Sequence, residues 1–459
     1  MRIAVINGSP KANQSITLHH IHYLAKRVPA HPIEIINVSN RIATIEKDKR
    51  LFDEITEKMA AADAVLWSFP VYYCLVPSQL KRFLELLFER CAPGIFSGKY
   101  TTSFTTSINF FDHAAHNYMQ GVCEELGFLY VKSYSAHMED FFSPDRRDSM
   151  LSFYKWFLKM VEQKVPVNRK YSVPRHDTVV YDPGALKRKE KTLHHKVLLL
   201  TDEQATDTNL AKMVEVFKNS SAMNIDTWNL HNIDMKNGCL GCCRCGYENK
   251  CIQKDGYASF FNDHLKRADI IIFAGSVKDH YLSSTWKKFL DRSFFNGHIP
   301  ALEGKRLGFI LSGPLSRIQN LREVLEAYAE IWHMKSCGFV TDEHGTSEEI
   351  TRQLHAFNQE IELACEQDLE FGGNYYQVAG KKLFRDFIYE TSAVFRADHK
   401  FYRRTGVYKD FPQRKYKKRY QNAVFKAFLA IRPIRKKIHA AFVPGMLAPY
   451  KKALGKLDG

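Results

Sequence analysis

Five of the chain's ten cysteines fall between Cys239 and Cys251, in the run Gly238-Cys239-Leu240-Gly241-Cys242-Cys243-Arg244-Cys245-Gly246-Tyr247-Glu248-Asn249-Lys250-Cys251. Taking Cys239, Cys242, Cys245 and Cys251 gives the spacing C-x2-C-x2-C-x5-C. Zinc ribbons and fingers separate two ligand pairs by roughly a dozen residues or more, so that each pair comes from its own turn. A cubane iron–sulfur cluster instead takes thiolates wrapped around one compact body, which a tight C-x2-C-x2-C run supplies. The Pro that follows the last cysteine of bacterial ferredoxins is missing. A [4Fe–4S] cluster is the first reading, zinc the second, and a loop that binds nothing the third. Cys243 is a spare that could replace Cys242.

A second candidate site lies at the start of the chain. An apolar run, Ile3–Ile6, leads into Gly8-Ser9-Pro10-Lys11-Ala12-Asn13-Gln14-Ser15-Ile16-Thr17 and then into a helix. A phosphate needs bare backbone N–H groups, short hydroxyls and a positive helix end, and Ser9, Lys11, Gln14, Ser15 and Thr17 are placed to provide them. The loop is neither a Walker loop nor GxGxxG, so a nucleoside triphosphate is not indicated. Further on, Pro70-Val71-Tyr72-Tyr73 and Thr106-Ser107-Ile108-Asn109 each follow a strand-like run. In an open α/β sheet such strand ends form the ligand crevice, and the aromatic rings there suit a flat ring system. Three such loops on one rim fit a flat, phosphorylated ligand. His113 and His116 lie three apart on a helix but lack a third ligand nearby, and His19, His20 and His22 read as a solvated helix face. Asp112 reads as the N-cap of the helix after it.

These loops need elements to hold them. Apolar runs at Ile3–Ile6, Ile33–Val38, Ala64–Ser68, Thr101–Ser107 and Phe128–Ser135 read as strands. Thr17–Lys26, Leu51–Ala61, Ser78–Glu89, His113–Glu125 and Met150–Val161 carry helical periodicity between and after them. Five alternating pairs predict an open, doubly wound parallel α/β sheet. The plan then repeats. Arg2–Ile6 aligns with Lys196–Leu200 at an offset of 194, and Gln79–Glu85 with Thr285–Asp291 at an offset of 206. The second copy has therefore gained about a dozen residues between its first and third strands, and the cysteine run lies in that insertion. We expect a first domain over 1–167, a linker over 168–195, a second domain over 196–368 and a tail over 369–459.

The tail sets the charge of the whole protein. The 459 residues carry a net charge of +16, while Phe401–Gly459 alone holds 16 Lys/Arg against Asp410 and Asp458. With 45% hydrophobic and 25% charged residues, the composition excludes a disordered, collagen-like or coiled-coil chain. Ten cysteines are too few for a disulfide scaffold, and no run approaches a membrane span or a secretory signal. A cytoplasmic protein is expected, with peripheral membrane contact an option. Apolar residues at Val424, Phe425, Phe428 and Ile431, then Ile434, Ile438 and Phe442, alternate with Arg432, Arg435, Lys436 and Lys437. Two basic amphipathic helices there fit an anionic membrane surface or an acidic protein partner, and nucleic acid less well; alternatively the stripe packs on the body.

Gly8-Ser9-Pro10-Lys11, the Pro70-Val71-Tyr72 loop and the compact cysteine run together resemble the NAD(P)H-dependent FMN reductase and iron–sulfur flavoprotein family. The resemblance covers about 160 residues of each half and not the tail. It implies a flavodoxin-like fold in tandem, FMN phosphate in the Ser9–Thr17 loop, and the isoalloxazine ring against Pro70–Tyr73 and Thr106–Asn109. It also implies a [4Fe–4S] cluster on Cys239, Cys242, Cys245 and Cys251, with NAD(P)H or ferredoxin as electron donor. Two departures matter. The first copy has no cysteine run, and the corresponding first loop of the second copy, Thr201–Asp207, carries Asp202, Glu203 and Asp207, which would repel a phosphate dianion. A division of labour follows, with flavin in one half, cluster in the other, and the duplicated chain an internal pseudo-dimer that could itself dimerise. No residue stands out as an acid–base catalyst. The competing readings are an FMN-dependent reductase with structural zinc, and a non-enzymatic scaffold acting through the tail.

Overall fold

The computed structural model describes residues 1–174, 179–370 and 372–454. The first sheet uses β1 (Ile3–Asn7), β2 (Ile33–Asn37), β3 (Ala64–Pro70), β4 (Tyr100–Ser107), β5 (Leu129–Tyr130) and β6 (Tyr134–His137). Their order is 2-1-3-4-5, all parallel, with β6 following β5 along the same edge of β4. The single strand expected over Phe128–Ser135 is thus two. The Lys132 carbonyl between them accepts from the Thr102 hydroxyl at 2.8 Å, a side-chain bond where the ladder is interrupted.

The second sheet uses β7 (Leu193–Thr201), β8 (Met223–Asn229), β9 (Ile270–Ser276), β10 (Arg306–Ser312) and β11 (Lys335–Thr341). It runs β8-β7-β9-β10-β11, the same order as the first sheet. This is the flavodoxin-like topology, with its switch point between the first and third strands of each half. Central strands β3 and β9 are buried throughout except at their last residues, which is why they read as unbroken apolar runs. The helix Ser347–Glu366 closes the second half and starts with a capping box between Thr346 and Glu349. The helix Asp112–Glu125 does not use Asp112 as its cap. Phe111, at φ 59°, holds that position, and Asp112 is the first helical residue, where its charge suits the positive helix end.

Met1–Asp398 forms one compact unit, and the chain from His399 a second. The helix Tyr375–Glu390, assigned by the sequence to the tail, is built into the first unit: Phe384 packs on Phe110 and Tyr376 on Phe111. Residues 416–454 form three helices, Tyr416–Ala430, Arg432–Ala440 and Phe442–Leu454, rather than the two expected.

Within the first unit the two halves meet through the helices Ser78–Arg90 and Ser284–Arg292, and the contacts obey the 206-residue offset. The Lys81 ammonium donates to the Lys278 carbonyl at 3.0 Å, and Lys287 donates to the Tyr72 carbonyl at 2.9 Å. The Ser78 N–H donates to the Asp291 carboxylate at 2.8 Å, and the Ser284 N–H to Glu85 at 2.6 Å. The backbone repeats as well. Tyr73 and Cys74 have positive φ, and so do Asp279 and His280. Reciprocal contacts of this kind define an isologous two-fold interface, here closed inside one chain.

Candidate functional site

The phosphate-type loop of the first half is held from below. Asn7, the last residue of β1, donates through Nδ2 to the Ala12 carbonyl at 3.0 Å and to Asn37 Oδ1 at 2.7 Å. Its Oδ1 accepts from the Ser9 N–H at 3.2 Å. Ser9 is buried, and its hydroxyl accepts from the Lys11 N–H at 3.3 Å. Ser15 caps the helix Ile16–Arg27 by accepting from the Leu18 N–H. The first-turn N–H groups at Ile16 and Thr17 are those that a helix leaves without intrahelical partners. Gln14 is exposed and Lys11 half-buried. Thr17 is bonded hydroxyl to hydroxyl with Thr106 at 2.6 Å, so the first loop and the end of β4 are joined. Ser107 accepts from the Asn109 N–H at 2.8 Å, with Asn109 at positive φ. The Val71 N–H donates to the Thr106 carbonyl at 3.2 Å, placing Pro70 and Val71 on the same rim. Lys11, Thr17, Pro70, Val71, Thr106, Ser107 and Asn109 therefore share one crevice edge at the strand C-termini.

The two tyrosines point into the second half. Tyr73 lies against Phe294 and Tyr328, each with ring centroids 5.7 Å away, so its ring belongs to the interface between halves. Tyr72 reaches the cysteine loop. Gly241 has φ +61°, and a methyl group built there would lie 1.7 Å from the Tyr72 hydroxyl oxygen and 3.4 Å from Lys11 Cε. The adjoining helix takes part too, because the Gln79 side-chain amide donates to the Cys239 carbonyl at 3.1 Å. The cysteine loop of the second half thus stands directly on the rim of the first.

That loop is anchored at its base. Gln253 donates to the Gly238 carbonyl at 3.0 Å, and buried Arg292 donates to the Asn237 carbonyl at 2.9 Å while pairing with Asp255. Asn249, at positive φ, ends the short helix Cys245–Glu248 and accepts from the Ile299 N–H at 3.0 Å. Cys239, Cys242, Cys243, Cys245 and Cys251 line one cavity with Phe294 and Phe295. Burial pushes the Cys239 thiol up to about 12, with Asp291, Cys242 and Cys251 adding to it. Burial raises Cys245 further, and the other four cysteines of the run contribute. Among the described residues, no three His, Cys, Asp or Glu side chains converge closely enough to hold a single metal ion. His298 was not foreseen from sequence. Its Nε2 lies 3.1 Å from Cys245 Sγ and its Nδ1 lies 2.7 Å from Asp398 Oδ2, and both His298 and Asp398 are buried.

The equivalent first loop of the second half is filled by its own carboxylates. Asp202 stands where the first copy has Gly8; it accepts from Trp286 Nε1 at 2.9 Å and from the Ser283 hydroxyl. Burial pushes its carboxyl above the usual range, with those two donors opposing. Glu203 accepts from the Ala205 N–H at 3.0 Å, taking a donor that an anion would need.

The histidines singled out from sequence lie away from the cysteine cavity. His116 is buried among Ser103, Thr105 and Ser135, and burial lowers its pKa to about 4. His113 faces Glu323 at 3.3 Å. His20, expected at a solvated face, is buried against Phe104 and Phe141, since the helix turns this residue toward the sheet.

Residues 1–142 and 196–345 both match the family described as NADPH-dependent FMN reductase. The chain belongs to that family. It is accordingly a flavoprotein of the NAD(P)H:FMN oxidoreductase type, with the family's domain present twice. The chain is also 25% identical over 179 residues to the iron–sulfur flavoprotein of Archaeoglobus fulgidus, a match covering 37% of this chain and 79% of that protein. Among solved structures, the apo form of the NADH:FMN oxidoreductase EMOB is 20% identical with a TM-score of 0.30, covering 34% of this chain and 87% of that one. The NAD(P)H:acceptor oxidoreductase FerB of Paracoccus denitrificans is 15% identical with a TM-score of 0.29, covering 35% and 97%.

Proposed function

We propose that this FMN reductase family member is an iron–sulfur flavoprotein that passes electrons from reduced nicotinamide to an acceptor through one FMN and one [4Fe–4S] cluster. FMN is assigned to the first half alone. Lys11, Ser9, Ser15, Gln14 and the helix end at Thr17 face its phosphate, and Pro70–Tyr73 with Thr106, Ser107 and Asn109 border its ring. The cluster is assigned to Cys239, Cys242, Cys245 and Cys251. The observation that carries the reading is the seating of the cysteine loop on Tyr72 and Lys11, which puts the sulfur cavity of one half against the flavin rim of the other.

The tight C-x2-C-x2-C run, with its cysteines lining one cavity, favours a cluster over zinc, whose ligand pairs usually come from two turns roughly a dozen residues apart. A flavin accepts electrons in pairs and an iron–sulfur cluster passes them singly, so the pair interconverts two-electron and one-electron carriers. The protein's own work is positional. Lys11 and the helix end hold the phosphate, Tyr72 and Gln79 fix the loop against the rim, and Phe294 and Phe295 form part of the cavity wall beside the sulfurs. A Cys239→Ser variant tests the reading: it should keep FMN and NAD(P)H oxidation by flavin while losing iron, sulfide and one-electron acceptor reduction. Unchanged iron and sulfide would contradict it.

A further inference from the structure

We propose that residues 416–454 form a surface that holds the enzyme on bilayers carrying anionic phospholipid headgroups. This span contains ten Lys/Arg and no Asp or Glu. None of the described residues in its three helices is buried. The apolar stripe therefore does not pack into a core: Phe425, Phe428, Ile431, Phe442, Leu447 and Leu454 are 43% to 61% exposed. Large apolar side chains this dense and this exposed mark an interaction surface.

The two properties together select the partner. An acidic protein or a nucleic acid would account for ten cations, but neither requires a run of exposed Phe, Ile and Leu. A basic helix with an apolar face is matched by the interface of an anionic bilayer, where headgroups take the charge and acyl chains take the stripe. The helices have 15, 9 and 13 residues. At 1.5 Å rise per residue each is shorter than the ~30 Å hydrocarbon core. Among the described residues no helix is long and apolar enough to cross a membrane. The segment would lie on the surface, not span it. The assignment is independent of the cofactors in the first unit.

The test is co-sedimentation of the full-length protein with phosphatidylcholine vesicles and with vesicles containing one quarter phosphatidylglycerol, at low and physiological salt. Two variants accompany it: a triple Arg435→Gln, Lys436→Gln, Lys437→Gln change, and a double Phe428→Ser, Leu447→Ser change. All five positions are exposed or half-buried and lie outside the first unit, so FMN content and NAD(P)H oxidation should not change. Binding to the anionic vesicles only, weakened at least tenfold by each variant, is expected. Equal recovery on both vesicles, or on neither, overturns the proposal. So does a charge-variant loss with no effect of Phe428→Ser, Leu447→Ser, which would leave a purely electrostatic surface. Capture by single-stranded RNA without vesicle binding overturns it as well.

Discussion

Gly241 bears more on the function than its size suggests, because it allows the cysteine loop to approach Tyr72. Gly241→Ala would put a methyl group 1.7 Å from the Tyr72 hydroxyl oxygen and place a Cβ at φ +61°. The expected result is displacement of the loop and loss of iron, measured as iron per chain, with FMN retained. Lys11→Ala should weaken FMN binding by ~10–100-fold, the value of a hydrogen bond to a charged group, as read by flavin fluorescence titration. His298→Leu removes the partner of Cys245 and should lower cluster affinity by ~10–100-fold, measured as resistance to chelation. Cys243→Ser should leave the cluster intact. The loops along the crevice edge were legible as candidates because their features are local: a glycine turn, short hydroxyls and a helix start. The Cys239–Cys251 spacing was legible for the same reason. Asn7, Gln79, His298 and Asp398 were not. Each acts through a partner brought close only by folding, and the Cys245–His298–Asp398 contact joins residues up to 153 positions apart. His20 and Asp112 were misread because one turn of helix decides which face is buried, and one residue decides where the cap falls.

At the scale of elements, the reciprocal Ser78–Asp291 and Ser284–Glu85 hydrogen bonds join the helices Ser78–Arg90 and Ser284–Arg292, and each acceptor is ion-paired within its own helix, to Lys287 and Lys81. Lys287 and Asp291 are both fully buried, so Lys287→Met would leave the Asp291 carboxylate in the interface with the Ser78 N–H but without its counter-ion. A loss of about 3–5 kcal/mol is expected from chemical denaturation, more than for exposed ion pairs such as Lys49–Asp53. His116, beneath the rim, predicts a pH dependence. Its folded pKa of about 4 lies below the ordinary value of 6.5, so the unfolded chain binds more protons between those values. Stability is therefore full above pH 6.5 and falls as pH drops toward 4, by about 3 kcal/mol in total. His116→Gln should flatten that part of the denaturation-midpoint profile. The strand and helix pattern was readable since β1, β3 and β9, buried on both faces, are mainly apolar runs, while the fully buried β4 is rich in β-branched Thr. The break between β5 and β6 was not readable, because it depends on the Thr102 hydroxyl bonding the Lys132 carbonyl. The third helix of the tail was hidden by Pro444, Gly445 and Pro449.

At the largest scale, Met1–Asp398 holds an isologous interface within one chain, an arrangement that would allow each half to carry one site. The 206-residue offset already implied this, and the reciprocal Lys81–Lys278 and Lys287–Tyr72 contacts give it a geometry. With Asp202 and Glu203 filling the first loop of the second half, one flavin per chain is expected, where two intact copies would hold two. The most direct measurement is an anaerobic absorption spectrum of the full-length protein, with FMN, iron, sulfide and zinc determined on the same sample. One FMN with four iron and four sulfide per chain, both chromophores bleaching with NAD(P)H, is the predicted result. Flavin with zinc and no iron, or two flavins per chain, would contradict the account.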